Sequence, residues 1–129
     1  MLPVFTGLDP LLADKTVQFG TWQGRVKLQG IKFILDGSPQ ARTAYFTRDY
    51  ARGAPDGSHP WHGQPVTSEA EFLTTARKAH QRGWQLFVHA NGDAAIDMAI
   101  KTFDTLGITA AGNRRPVVIH SQFMRPDQI

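Results

Sequence analysis

Three short apolar runs, each ending at a polar or ionisable residue, constrain the fold of this chain most strongly. They are Ile31–Leu35, Leu86–Val88 and Val117–Ile119, and the second run extends back to Trp84. The runs are nearly continuous and lack the alternation of apolar and polar residues that a solvent-exposed face would produce. They therefore predict parallel strands that are buried on both faces.

The segments that precede the second and third runs have the marks of helices. Ser68, with Glu71 three residues later, forms a capping-box signature, and Gly83 is placed to end the helix that follows. Apolar residues recur at helical spacing from Asp93, and Gly107 is placed as the stop. The order strand, loop, helix, strand, helix, strand predicts right-handed parallel crossovers in an α/β fold.

The spacing of the runs indicates one regular unit and one unit with an insertion. His89 and His120 are about 30 residues apart, the length of one β-α-β unit. The longer interval between the first two runs contains residues 37–67, whose many glycines and prolines oppose regular structure. A loop of this length is more often functional than idle, so we predict a long rim loop.

Both ends of the chain look cut, which predicts that residues 1–129 are a fragment of a single domain. Residues 125–129 resemble the start of a helix, and Leu2–Phe5 resembles the tail of an earlier strand. An open three-stranded piece would expose strand edges and apolar faces. We therefore expect oligomerisation or dependence on the rest of the protein.

Composition excludes several classes of partner and site. The net charge is +3, but the basic residues are scattered, so nucleic acid is not expected as a partner. The chain has no cysteine, which leaves imidazole, carboxylate or modified lysine to hold a metal. No secretory signal or long apolar run is present, so we expect a soluble chain without a membrane partner, compatible with the cytoplasm.

Lys32, His89 and His120 are the candidate metal ligands. Both histidines follow apolar runs, and the carboxyl ends of parallel strands form the rim where α/β barrels build active sites. Two imidazoles from neighbouring strand ends can share one zinc ion. Lys32 stands inside an apolar run, where a charge is costly unless it is paired or chemically altered. The alternatives are hydrogen-bonded rim histidines and a lysine that extends to solvent.

Other polar residues have weaker or structural interpretations. Asp93 is predicted to cap its helix, and Asp36 either orders the rim or makes a local turn. His80 is expected to face solvent on the first helix. Three arginines of the loop could each meet an anionic substrate group or simply be solvated. They are Arg42, Arg48 and Arg52.

Three segments together resemble the amidohydrolase superfamily, family 3 branch, which includes N-substituted formamide deformylases. They are residues 30–44 (GIKFILDGSPQARTA), 88–97 (VHANGDAAID) and 115–122 (RPVVIHSQ), and the resemblance extends from Gly30 to Ile129. Order and spacing agree as well as residue type. Ile119 and Ser121 depart from the family pattern, which commonly has Glu before the third-segment histidine and Ala after it.

The resemblance implies a partial TIM (β/α)8 barrel in which the three runs are strands four to six. It further implies that Lys32 is the carboxylated, metal-bridging lysine and that His89 and His120 bind the second metal. The implied activity is metal-dependent hydrolysis of a non-peptide C–N amide or formamide bond in a small molecule, with one or two divalent ions, zinc first. The family's strand-one His-x-His pair and strand-eight aspartate have no counterpart here, so no catalytic base is assigned and the chain alone is expected to be inactive.

A second hypothesis comes from a different functional class. The chain could be a non-catalytic α/β module that regulates or binds a partner, with histidines that only pack. The two hypotheses differ in whether the strand-end imidazoles bind metal.

Overall fold

A parallel sheet of three strands forms the centre of the computed structural model, which describes residues 8–129. The strands are β3 (Gly30–Ile34), β4 (Gln85–Ala90) and β5 (Val117–His120), and they lie in the order β3-β4-β5. Ile34 pairs with His89, and Ala90 pairs with His120. The carboxyl ends of all three strands therefore meet at one edge of the sheet, as the apolar runs predicted.

Two helices of 13 residues each, α2 (Glu69–Gln81) and α3 (Asp93–Thr105), pack on the sheet. The capping-box prediction for α2 is confirmed in part, because Ser68 Oγ accepts a hydrogen bond from the backbone N–H of Glu71 at 3.2 Å. The Glu71 carboxylate does not complete the box and instead accepts a hydrogen bond from Thr67 Oγ1 at 2.8 Å. At the other end, Gly83 has a φ of 77°, a conformation that glycine adopts without strain.

The prediction that Asp93 caps α3 is wrong. Gly92 occupies the N-cap position and makes no side-chain capping bond, while Asp93 is the first helical residue. Its carboxylate instead accepts hydrogen bonds from Thr47 and Arg125, which are remote in sequence. Sequence position identified the helix end but not this competing set of donors.

Only one face of the sheet is covered within the described residues, so the prediction of strands buried on both faces is wrong for this chain. The covered face carries fully buried side chains that pack on the helices, namely Ile31, Phe33, Leu35, Leu86, Val88 and Ala90. Phe33 meets Phe72 of α2 edge-on, with ring centroids 5.3 Å apart. The opposite face, which we call the open face, is only half-buried. Its residues are Lys32, Ile34, Phe87, His89, Val117 and Ile119.

The segment before the sheet contains elements that the sequence did not predict. These are the short helix α1 (Leu8–Ala13) and an antiparallel pair, β1 (Trp22–Gln23) with β2 (Val26–Lys27). Phe19 stacks on Trp84 at 3.9 Å between ring centroids, which fastens this segment to the start of β4. The predicted strand tail at Leu2–Phe5 lies outside the described residues.

The rim loop, residues 37–67, contains no helix or strand, as predicted. Backbone hydrogen bonds nevertheless fold it on itself, from Phe46 N–H to His62 carbonyl at 2.8 Å and from Tyr50 N–H to Trp61 carbonyl at 2.7 Å. Arg42 donates to the carbonyls of Arg52 and Pro55 at 3.0 and 3.1 Å. These bonds give Arg42 a structural role within the loop.

The prediction that His80 faces solvent is only half right. His80 is half-buried, and its Nδ1 is buried without a hydrogen-bond partner among the described residues. Burial, with a smaller contribution from the nearby Arg114 charge, lowers the pKa of this imidazole.

Between Leu8 and Ile129, no helix has the length and apolar character needed to cross a bilayer.

Candidate metal site at the strand ends

His89 and His120 meet at the carboxyl edge of the sheet. Their ring centroids are 4.8 Å apart and their planes are nearly perpendicular, at 82°. The side chain of His89 is 17% exposed, whereas His120 is exposed. The fold therefore brings together two of the three residues that the sequence singled out, with their rings in direct contact.

An unusual backbone turn aims the His120 side chain. Along a regular strand, side chains alternate between faces, and Ile119, which pairs with His89, would share its face while His120 would not. His120 and Ser121 have φ values of 75° and 49°, a left-handed region that costs energy for residues other than glycine. Strained backbone of this kind clusters at functional sites, and here it breaks the strand alternation beside His89.

The surroundings of His89 Nε2 favour one tautomer of the ring. The carbonyl oxygen of Gly37 lies 3.2 Å away and Asp36 Oδ1 lies 3.5 Å away, and both atoms only accept hydrogen bonds. Asn91 Nδ2, 3.1 Å from Nε2, acts in the opposite direction, but its shorter bond of 2.8 Å goes to the Gly37 carbonyl. The two acceptors favour a proton on Nε2, which leaves the Nδ1 lone pair available to a metal.

Asp36 joins three segments of the rim. Its side chain is fully buried and accepts backbone N–H bonds from Tyr45 at 3.1 Å, Asn91 at 3.0 Å and Gly92 at 2.8 Å. These donors lie in the rim loop and in the turn between β4 and α3. Of the two roles considered for Asp36, the structure therefore shows the ordering of the rim, including the turn that follows His89.

Lys32 lies deeper on the open face than the histidines. It pairs with Phe87, two residues before His89, so its side chain shares a face with that of His89. The residue is half-buried, and its side chain makes no hydrogen bond or ion pair among residues 8–129. Lys32 and His89 thus lie on the same face of the sheet, but among the described residues no polar contact joins Lys32 to either histidine.

A second cluster of charges holds the segment after β5 against α3. Arg125 donates to Asp93 at 2.9 Å and to both carboxylate oxygens of Asp97, while Thr47 Oγ1 donates to Asp93 at 2.6 Å. Burial alone would raise the pKa of Asp93, but the bonds from Thr47 and Arg125 outweigh it and the pKa is lowered. Sequence reasoning missed this network because its members come from three separated segments.

The histidine pair alone does not make a complete metal site among the described residues. Between Leu8 and Ile129, no group of three or more histidine, aspartate or glutamate side chains is arranged to grip one ion. The pair offers two ring nitrogens, whereas a zinc site needs at least three protein ligands. The chain is thus a parallel α/β unit with a pair of imidazoles at its strand ends.

Comparison with known proteins agrees with this class. The model of the amidohydrolase family matches residues 9–129, and the chain belongs to that family. Searching the curated proteins gave no match.

Two crystal structures of uncharacterized metal-dependent hydrolases have a similar fold. The one from Pyrococcus horikoshii OT3 is 31% identical with a TM-score of 0.64, and the one from Pyrococcus furiosus is 29% identical with a TM-score of 0.65. Each match covers 82% of this chain but only 20% and 21% of the respective hydrolase chain. The chain therefore spans about a fifth of the length of these two structures.

Proposed function

We propose that the chain supplies part of the metal centre of a hydrolase that cleaves a non-peptide C–N bond, an amide or formamide in a small molecule. The observation that carries the proposal is the contact between the His89 and His120 rings at neighbouring strand ends. Membership of the amidohydrolase family and likeness to metal-dependent hydrolases support it. In the complete protein, β3 to β5 would be strands four to six of a TIM barrel, with the open face directed inward.

The donor set fits a divalent ion of borderline softness, for which zinc is the first choice. His89 would bind through Nδ1, because Gly37 and Asp36 occupy the side of Nε2, and His120 would supply the second nitrogen. When bound, such an ion lowers the pKa of a coordinated water and polarises a carbonyl. Asp36 and Gly37 would orient the His89 ring, and the turn at His120 would keep the second ring beside it.

Lys32 would enter the site as a carbamate. Its amine, half-buried on an apolar strand without an anionic partner among residues 8–129, would attack carbon dioxide. An N–C bond forms, a proton is released, and the neutral amine becomes an anion with two oxygen ligands. Such a group can bridge two ions, which offset the cost of placing a charge there. The chain alone is expected to be inactive, since two imidazoles and one carbamate leave the base unassigned.

Metal binding by the 129-residue chain tests the proposal directly. Co(II) added to the chain should produce visible d-d absorption, and the NMR signals of His89 and His120 should shift or broaden. Replacing either histidine with alanine should weaken Co(II) binding by about tenfold or more, as expected when one metal ligand is lost. His62→Ala is the matched control, because His62 is a half-exposed rim-loop histidine that pairs with Asp49.

Two results would contradict the proposal. Equal Co(II) binding by the chain and by the His89→Ala, His120→Ala double variant would show that the strand-end pair holds no metal. Binding that is lost equally in His62→Ala would point to nonspecific imidazole coordination. Either result would favour the alternative of a non-catalytic module in which the histidines only pack.

A further inference from the structure

Two adjoining hollows between the rim loop and the segment after β5 share three residues. The hollows have volumes of about 270 and 330 Å³, and both are lined by Phe46, Arg48 and Phe123. We call their union the rim cleft, and its remaining lining residues are Pro39, Thr47, Asp49, Tyr50, Asp93 and Arg125. Together the hollows can accept a small organic molecule.

One wall of the rim cleft is joined to His89 through Asn91, and the other lies close to Gly37 in sequence. Phe123 lies three residues after His120, and its backbone N–H donates to the Asn91 carbonyl at 3.1 Å. Asn91 in turn contacts His89 Nε2. On the other wall, Pro39 lies two residues after Gly37, whose carbonyl oxygen lies 3.2 Å from the same nitrogen. Neither hollow is lined by His89 or His120, so the cleft is linked to the histidine pair through these intervening residues.

The apolar part of the cleft is aromatic. Phe46 meets Phe123 edge-on at 5.0 Å between centroids and meets Tyr50 edge-on at 5.1 Å. Phe123 remains 47% exposed, so its ring offers apolar surface to a further group. Aromatic rings favour additional edge-to-face or offset partners, which suits an aromatic substituent of a ligand.

Arg48 gives the cleft an available positive charge. Its side chain is exposed and makes no ion pair within residues 8–129. The carboxylates that border the cleft are already engaged, Asp93 by Arg125 and Asp49 by the His62 ring at 3.3 Å. A planar guanidinium in this position matches the geometry of a carboxylate.

We propose that the rim cleft is the subsite for the part of the substrate remote from the scissile bond, and that it selects an aromatic group together with a carboxylate. This inference rests on the proposed function, because it takes the histidine pair as the reaction centre. It assigns Arg48 to the carboxylate, and Phe46 and Phe123 to the ring. The substrate class is then an amide of a carboxylate-bearing aromatic compound.

Binding of three probes to the 129-residue chain, with EDTA present to remove metal, tests the inference separately from the proposed function. The probes are N-acetylphenylalanine, which has both features, its neutral carboxamide, and N-acetylglycine, which lacks the ring. NMR titration should give the tightest binding for N-acetylphenylalanine. Arg48→Gln should weaken that probe about fivefold, as for an exposed charge pair, and leave the carboxamide unchanged.

Two further variants make the result specific. Arg52→Gln is the matched control, since Arg52 is an exposed arginine of the same loop that does not line the cleft, and it should bind all probes normally. Phe123→Ala should weaken both phenylalanine probes about threefold to tenfold, while Phe123→Leu, which keeps apolar area, should weaken them less.

Three outcomes would overturn the inference. The first is no saturable binding of N-acetylphenylalanine up to about 10 mM, a concentration well above the millimolar Kd of a weak specific ligand. The second is an equal effect of Arg48→Gln and Arg52→Gln on probe binding. The third is an equal loss of binding of the charged and the neutral probe in Arg48→Gln. If the probes bind as expected but the chain takes up no Co(II), the preference of the cleft for an aromatic carboxylate stands, while the metal-hydrolase proposal and the role of the cleft as its substrate subsite fail.

Discussion

Asp36 shows how one side chain organises the rim around His89. Its buried carboxylate accepts N–H bonds from Tyr45, Asn91 and Gly92. Asp36→Asn replaces one carboxylate oxygen with an NH2 group, which donates hydrogen bonds and cannot accept them from those N–H groups. We therefore expect the free energy of unfolding to fall by about 3 kcal/mol, because buried N–H groups lose their charged acceptor. Urea unfolding followed by circular dichroism measures this change.

Asp104→Asn provides the control for that substitution. Asp104 is exposed on α3, and its replacement should alter stability by no more than about 0.5 kcal/mol. If Asp36→Asn unfolded at the same urea concentration as Asp104→Asn, the hydrogen bonds of Asp36 would not stabilise the rim.

Single residues also mark the limit of sequence reasoning about the site. The apolar runs placed His89 and His120 at the carboxyl ends of their strands, because each histidine is the first polar residue after a buried apolar run. They could not predict the left-handed backbone at His120, since ordinary strand alternation would send that side chain to the other face. The donors to Asp36 were equally hidden, because they come from segments that only the tertiary fold brings together.

The elements themselves were predictable to within one or two residues. Apolar runs and caps placed the strands β3, β4 and β5 and the helices α2 and α3, because local burial and capping determine these bounds. The same runs misled about burial, since a strand that is apolar on both faces is half-exposed here where no second layer covers it. The β1–β2 pair was missed because two-residue strands leave no periodicity to detect.

The start of α2 depends on one capping bond. Ser68 Oγ accepts the Glu71 N–H, satisfying a backbone donor that helix geometry leaves without a partner. Ser68→Ala should reduce the free energy of unfolding by about 1 kcal/mol, measured by urea denaturation.

Thr74→Ala, on the exposed surface of the same helix, is its control. Thr74 Oγ1 only bonds the Ala70 carbonyl one turn earlier, and alanine is the better helix former, so this variant should be neutral or slightly stabilising. Equal stability of the two variants would contradict a capping role for Ser68.

The contact between α3 and the segment after β5 should depend on pH. Hydrogen bonds from Thr47 and Arg125 lower the pKa of Asp93 below its unfolded value of about 3.9, despite the opposing effect of burial. A carboxyl group with a lowered folded pKa stabilises the fold above the unfolded pKa, and that stabilisation is lost as pH falls through the folded pKa. Stability should therefore drop as the pH falls below about 4.

Arg125→Gln should make this acid-side decline shallower, because one of the groups that lowers the Asp93 pKa is gone. Urea midpoints measured at several pH values give the slope directly. Arg77→Gln, which removes an exposed charge from α2, should retain the original slope. A slope that is unchanged in Arg125→Gln would show that this arginine does not control the titration of Asp93.

At the scale of the whole molecule, the candidate site and the open face of the sheet are parts of one surface. Lys32 and His89 share that face with apolar neighbours such as Ile34, Phe87 and Ile119, and both outer strands have unpaired edges within the described sheet. In the two similar hydrolases the matched region is about a fifth of the chain. A face that combines apolar side chains with free edges favours association, whether with further β-α units or with another copy.

We therefore expect the 129-residue chain to self-associate through the open face, since burying apolar surface contributes roughly 25 cal/mol per Å². Sedimentation equilibrium should give an average mass that rises above 14.3 kDa with concentration. Ile119→Glu places a charge on that face and should return the mass toward the monomer, while Ile100→Glu, at an exposed position on α3, should not. A monomer at every concentration, or equal effects of both variants, would show that the open face does not drive association.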